Sequence, residues 1–446
     1  MSLLNQFLTT VSTEERWLLI FPSMQQTLQA QHLMERSGLQ GDFIPTPKGF
    51  GPVCTTAIVF SGLLAPEVKE LLETHQLQPT YLEPWRRLPP GPAWEEALQA
   101  IETPAYGDLL LQCREREDWA VDDVTTLLSP PTAQDKIALR LAAEAARQET
   151  LGDVVDVRGA VEFGNECRKD CFYCGLRKSN RHLTRYRLSE EQTMQAIEDL
   201  YNMGIRTIIL QSGEEDERAT ASIVDLIRTI KSRFGLRITL SLGERSLADY
   251  HAFRQAGANN YLLRIETTDP ELFRRVHPDD DLEERMQHLI WLREAGFLLG
   301  TGGLVGLPGQ SISSLAQDIL YWRKLGANMI GIGPFLPAAH TPFSQLEPGD
   351  LDLTLRVYAV TRLLCGRTFI PSTTALASLH PEGQKLGLQW GANSIMLTHT
   401  PEEVRAHYHL YQNKAKVDLD FACQSILDAG RQIPPYLRWT QKEERY

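Results

Sequence analysis

Val157-Arg-Gly-Ala-Val-Glu-Phe163, an apolar run of strand length, leads through Gly164 and Asn165 into Glu166-Cys-Arg-Lys-Asp-Cys-Phe-Tyr-Cys-Gly-Leu-Arg177. Cys167, Cys171 and Cys174 stand there in the spacing CxxxCxxC. Cysteine thiolate is the usual protein ligand of iron–sulfur centres, so three thiols this close can hold three irons of a four-iron cluster and leave the fourth iron open. The bare spacing also admits a zinc site short of one ligand, or a group of reduced thiols.

Working outward from this loop, short apolar runs alternate with helical stretches. The expected strands are 157–163, 207–211, 237–242, 260–265, 298–305, 329–332, 368–371 and 394–397, with helices such as 190–203, 219–234 and 283–295 between them. This alternation predicts an α/β fold, a (βα)8 TIM-type barrel; a doubly wound open sheet is the alternative, because periodicity cannot show closure. Upstream, an apolar run at 17–21, a helix capped by Ser23, an extended piece near 42–47, a strand at 53–60 and a helix at 66–75 predict a small α+β N-terminal domain of βαββα order. The expected organisation is that domain over 1–85, a Pro-, Gly- and Trp-rich linker over 86–105, the barrel over 106–415 and a C-terminal tail over 416–446. Thr132 is the expected cap of a long amphipathic helix entering the barrel.

The net charge of −12 argues against nucleic acid as a partner, since neutralising phosphates needs clustered Lys and Arg. Seven cysteines, an odd number with three in one loop, do not read as a secreted disulfide framework, and no stretch approaches a membrane span or a signal peptide. A cytoplasmic, unprocessed protein acting on a small molecule is expected.

A barrel gathers its active site at the C-terminal strand ends. There the sequence places the cysteine loop, Gln211–Glu214, Ser241–Glu244, Arg264–Thr267, Gly302–Gly309, Gly333–Phe335 and Ser372–Thr374. The glycine-rich stretch lacks the spacing and terminal Lys of a phosphate-binding loop. It would allow a planar ligand close to the backbone.

With Tyr173 before its last cysteine, the loop resembles the signature of the radical S-adenosylmethionine (SAM) family. Residues 108–415 are similar to the group that holds the hydrogenase maturase HydE, methylornithine synthase PylB and biotin synthase. The stretches carrying this are 162–177, 210–214, 240–244, 261–267, 303–310, 331–335 and 373–375. The resemblance implies a complete barrel, a 4Fe-4S cluster on Cys167, Cys171 and Cys174, and SAM held by Arg264, Glu266 and Arg285. Tyr173, Ser241, Glu244 and Gly303 complete the implied cofactor contacts. It also implies a 5′-deoxyadenosyl radical acting on a small-molecule substrate, in metallocofactor assembly or carbon-skeleton rearrangement, and a reductant such as ferredoxin or flavodoxin.

Ser212, Ser372, Thr373, Thr374 and Tyr408 are the candidates for orienting substrate, with Tyr411 as a second lid residue. Two departures stand out: Ile265 replaces a His that the maturases carry between Arg and Glu, and no second cysteine cluster follows near the C-terminus. The first exchanges an imidazole for an aliphatic side chain near the substrate cavity and so puts the maturase substrate in doubt, because a His can bond, protonate or ligate and an Ile cannot. Residues 14–85 resemble a small selenium or sulfur carrier domain. That raises an alternative function, an iron–sulfur carrier or electron-transfer protein delivering sulfur or selenium from Cys54 to a protein partner.

Overall fold

Trp17-Leu-Leu-Ile forms the strand its apolar character predicts, and Ser23 caps the following helix by accepting from the Gln26 amide. The computed structural model describes residues 16–45, 56–85, 92–114, 116–215 and 220–440, and the chain divides into two units after Gly91. In the first, β1 (Arg16–Ile20), β2 (Gly41–Pro45), β3 (Thr56–Ser61) and β4 (Tyr81–Trp85) form an antiparallel sheet in the order β2-β3-β1-β4. Helices Met24–Arg36 and Ala65–Thr74 contribute Met34, Val68 and Leu72 to a core with Leu19, Phe21 and Phe60. The βαββα reading therefore gains a strand. Pro84 hid it, and an edge strand tolerates that proline. Cys54 lies outside the described residues.

The second unit begins with helix Pro92–Gln99, inside the stretch read as linker. Proline at a helix start loses no intrahelical bond, and Trp94 and Ala97 are buried in the unit's main core, so this segment belongs to the barrel unit. Helices Pro104–Gln112, Val121–Leu128 and Ala133–Leu151 follow, the last capped by Thr132 onto the Asp135 amide.

Eight parallel strands come next: β5 (Asp156–Gly164), β6 (Thr207–Ser212), β7 (Arg237–Ser241), β8 (Asn260–Leu262), β9 (Leu298–Val305), β10 (Met329–Pro334), β11 (Pro371–Ser372) and β12 (Ser394–Thr398). Their order is β10-β9-β8-β7-β6-β5-β12-β11, so the first strand lies between the second and the last. That adjacency is a ring, not a doubly wound sheet. β10 and β11 meet through a bridge of Met329 with Phe369, where the Ile330 amide donates to Phe369 O at 2.8 Å. The barrel is nearly closed. Beyond it, helix Leu419–Asp428 packs on β12, and the Val155 amide donates to Gln432 O, so the region read as a tail is built into the barrel wall. No described helix is long and apolar enough to cross a membrane.

Two features of the β8–β9 edge position the site. Ile265 is fully buried in the main apolar core. Burying an isoleucine is worth about 2 kcal/mol, whereas an imidazole there would need a polar partner. Ile265 thus contributes to the packing of the barrel core. Gly302 has φ 152, and a Cβ on it would lie 2.0 Å from Gly331 O on the neighbouring strand. The glycines of β9 bring strands together rather than opening space for a ligand: a Cβ on Gly303 would meet Glu266 O at 2.7 Å. Gly302→Ala is expected to cost on the order of 3 kcal/mol or to abolish soluble expression. Gly331→Ala, whose Cβ would meet nothing nearer than Thr301 O at 3.8 Å, should leave the urea midpoint nearly unchanged. Equal midpoints for the two variants would contradict this geometry.

Candidate active site

The cysteine loop leaves β5 at Gly164 and is folded by its own polar groups. Arg185 donates to the carbonyls of Asn165, Leu176 and Arg177 at 2.6, 2.8 and 2.7 Å, drawing the end of the loop back over its start. Asp170 accepts from Arg177 Nε at 2.7 Å and from Ser179 Oγ at 2.8 Å. The Arg177 side chain beside it is the main reason its carboxyl is held down to about 2. Asn165 Nδ2 donates to Thr184 O and His407 O, and the Gly175 amide donates to Leu410 O at 3.0 Å. Segment 407–410 thus lies directly on the loop, and a Cβ on Gly175 would sit 1.9 Å from His409 O.

Beneath the loop runs a buried ionic network. Lys169 Nζ lies 2.8 Å from Glu244 Oε2, 2.9 Å from Asp280 Oδ1 and 3.6 Å from Glu214 Oε1. Arg285 places Nε 2.5 Å from Glu244 Oε1, pairs with Asp280, and donates through its third nitrogen to Arg264 O at 2.8 Å. Burial alone would raise the Glu244 carboxyl, but Arg285 and Lys169 overrule it and hold it at about 2. Glu214 is raised by burial despite Lys169, and its Oε1 accepts no aligned hydrogen bond.

The chain bends sharply at Glu266. Among described residues other than glycine with positive φ, Gln76, Glu266, His340 and Asn413, only Glu266 is buried, with φ 64. The Thr267 amide donates to Ile265 O at 2.8 Å, closing a three-residue turn around Glu266, while the amides of Ile265 and Glu266 both donate to Gly302 O. A turn of this hand is rare and costs roughly 1–3 kcal/mol. β8 accordingly ends at Leu262, before the expected Ile265. Arg264 and Glu266 are not strand neighbours, yet the turn brings Arg264 within 2.8 Å of Glu266 Oε2. That contact is ionic without being an aligned hydrogen bond, since the same guanidinium nitrogen donates to Gly303 O and Oε2 accepts no bond. Burial raises the Glu266 carboxyl, and Arg264 opposes it. Tyr173 reaches this corner too; its hydroxyl lies 3.0 Å from His277 Nε2, and burial lowers His277 far enough to keep the imidazole neutral.

The three thiols share one loop without a disulfide. Burial and mutual proximity push Cys171 well up and Cys174 up to about 12, and burial raises Cys167. Among the described residues no three His, Cys, Asp or Glu side chains converge tightly enough for one ion. Cysteines that each serve a different iron need not converge in that way, whereas zinc ligands must.

Several expected residues do other work. Arg285 directs all three guanidinium nitrogens at protein acceptors, while Arg264, paired with Glu266, keeps its side chain 29% exposed. Glu244 is likewise saturated by Lys169 and Arg285. Ser212 donates to Gly213 O, and Ser372, fully buried, donates to Gln384 O because helix Gly383–Gln389 overlies its strand end. Thr373 donates to Ile332 O. Tyr408, expected as a lid residue, is buried, and Tyr411 is partly buried. Ser241 and Thr374 remain partly exposed at the strand ends. Sequence reasoning missed Lys169, Asp280 and the Glu162–Lys414 pair. Lys169 inside the cysteine signature was the available signal; Asp280 and Lys414 come from distant loops and gave none.

A sequence model of the Radical SAM superfamily matches residues 161–321, and one of Se/S carrier protein-like domains matches residues 16–82. The chain is 40% identical over 318 residues to the [FeFe] hydrogenase maturase subunit HydE of Thermotoga maritima, spanning 71% of this chain and 91% of that protein. It is 26% identical to 3-methylornithine synthase of Methanosarcina acetivorans, spanning 65% of this chain and 81% of the relative. The solved structure of methylornithine synthase (PylB) superposes with a TM-score of 0.67 at 23% identity, covering 74% of this chain and 98% of that one. A nearly closed barrel with CxxxCxxC after its first strand, and this similarity across almost the whole of a maturase, make the chain a radical SAM enzyme of the HydE type, a family that binds a 4Fe-4S cluster and SAM.

Proposed function

We propose that Cys167, Cys171 and Cys174 hold three irons of the cluster, and that Glu266 and Arg264 receive the ammonium and carboxylate of SAM. The donor set supports this. Three free thiols sit beside a buried carboxylate whose Oε2 accepts no hydrogen bond and a guanidinium whose buried Nε has no partner. Opposite charges held 2.8 Å apart match the two charged ends of an amino acid. When bound, cluster and SAM together supply reductive cleavage of the sulfonium, giving methionine and a 5′-deoxyadenosyl radical.

The chain's own residues bind, orient and seal. Lys169, Glu244, Asp280 and Arg285 hold the loop against β7 and its neighbours, and segment 407–410 covers it from above. Tyr173 and neutral His277 line the Glu266 side. We assign the action to a small molecule in metallocofactor assembly, a reading supported by the 40% identity to the maturase. A low-potential reductant such as ferredoxin or flavodoxin, a cytoplasmic setting, and a protein partner docking on the N-terminal unit complete the proposal. The observation that carries it is the convergence of the three thiols with Arg264 and Glu266 at one end of the barrel.

Anaerobically reconstituted protein should bind about four irons and, with dithionite and SAM, release 5′-deoxyadenosine; Cys174→Ser should do neither. A loaded cluster that yields no 5′-deoxyadenosine would refute the assignment. Iron binds thiolates, and the surroundings raise all three thiols, so loading should expel protons. Iron uptake should therefore quicken from pH 7 to pH 9, with proton release seen in weak buffer. Uptake independent of pH would mean the thiols are already ionised.

A further inference from the structure

The strained turn at Glu266 does not stand alone. Asp318, on helix Ile312–Lys324 outside the barrel, is fully buried and faces the turn. Its Oδ1 accepts from the Thr268 amide at 2.5 Å, from Thr268 Oγ1 at 2.7 Å and from Thr267 Oγ1 at 3.4 Å. Its Oδ2 accepts nothing. One carboxylate oxygen thus gathers the two residues after Glu266. The next residue, Asp269, caps helix Pro270–Val276 through the amides of Glu271 and Leu272. On the other side the Glu266 amide and carbonyl are stitched to Gly302 and Leu304 of β9. Glu266 is held from both sides, and Asp318 is the side-chain anchor on the C-terminal side.

We propose that Asp318 is a positioning residue for SAM recognition: by tying down Thr267 and Thr268 it keeps Glu266 in the left-handed turn that presents its carboxylate beside Arg264. This rests on the reading of Glu266 as the acceptor for the SAM ammonium. Without the anchor, the turn relaxes toward ordinary backbone angles and the carboxylate leaves its place. Burial pushes the Asp318 carboxyl up to about 7 against the pull of its threonine donors, so the neutral amide of asparagine is a close stand-in that keeps the accepting oxygen.

The test measures SAM dissociation constants by equilibrium dialysis on the anaerobically reconstituted full chain, with iron content and urea midpoint for each variant. Glu266→Gln should weaken SAM binding by about tenfold or more, and Asp318→Ala by about tenfold, both with full iron content. Asp318→Asn should stay within about threefold of the parent, and Thr268→Val, which removes one donor and spares the helix, should weaken binding about threefold. The double variant Asp318→Ala/Glu266→Gln should bind no worse than Glu266→Gln alone, because the anchor acts through the carboxylate. A merely structural role would lower the urea midpoint and leave SAM binding intact. If Glu266→Gln binds normally, the reading of Glu266 falls and this proposal with it. If Glu266→Gln is weakened but Asp318→Ala and Thr268→Val bind normally, or the double variant's losses multiply, only the role of Asp318 is overturned. Should Asp318→Ala fail to fold, Thr268→Val and Asp318→Asn decide.

Discussion

Lys169 and Arg285, buried among Glu214, Glu244 and Asp280, are the constraint on which the active-site end of the barrel depends. Two cations and three carboxylates out of water are tolerable only when each charge faces its opposite, and deleting one partner of such a set typically costs about 3–5 kcal/mol. The network joins the cysteine loop after β5, the loops after β6 and β7, the 277–281 turn and the helix Leu282–Glu294. The cysteine loop is held there by this charge pairing together with the packing of Phe172, Tyr173 and Leu176.

The same corner shows how the β8 end couples to the loop. From Glu266 the chain runs through the Asp269 cap and the short helix Pro270–Val276 to His277. Val276 O accepts the Phe172 amide at 2.9 Å and His277 meets Tyr173. The carboxylate and the cysteines are two ends of one rigid path. A shift at Glu266 is carried to the thiols through backbone bonds, not through a flexible side chain.

Much of this was legible in the sequence. The eight barrel strands were found because a parallel barrel buries both faces of its strands and so writes continuous apolar runs, and Cys167, Cys171 and Cys174 were singled out because ligand spacing is local. The strand expected over 260–265 ends at Leu262, because Glu266 sits in a left-handed turn that no residue type announces, glutamate being ordinarily excluded from it. Arg285 pairs with Glu244 and Asp280, which come from different loops and left no local signal. Helix Pro92–Gln99 and strand β4 were hidden by proline at positions where proline does no harm.

Segment 407–410 lying on Gly175 joins a loop after the first barrel strand to residues beyond the last one, just as β5 pairs with β12. Contacts so distant along the chain carry a high loop-closure entropy, which the packed barrel offsets. The first and last strands are tied twice, once through the sheet and once above the metal loop, so the far end of the chain is part of what holds the cysteine loop in place.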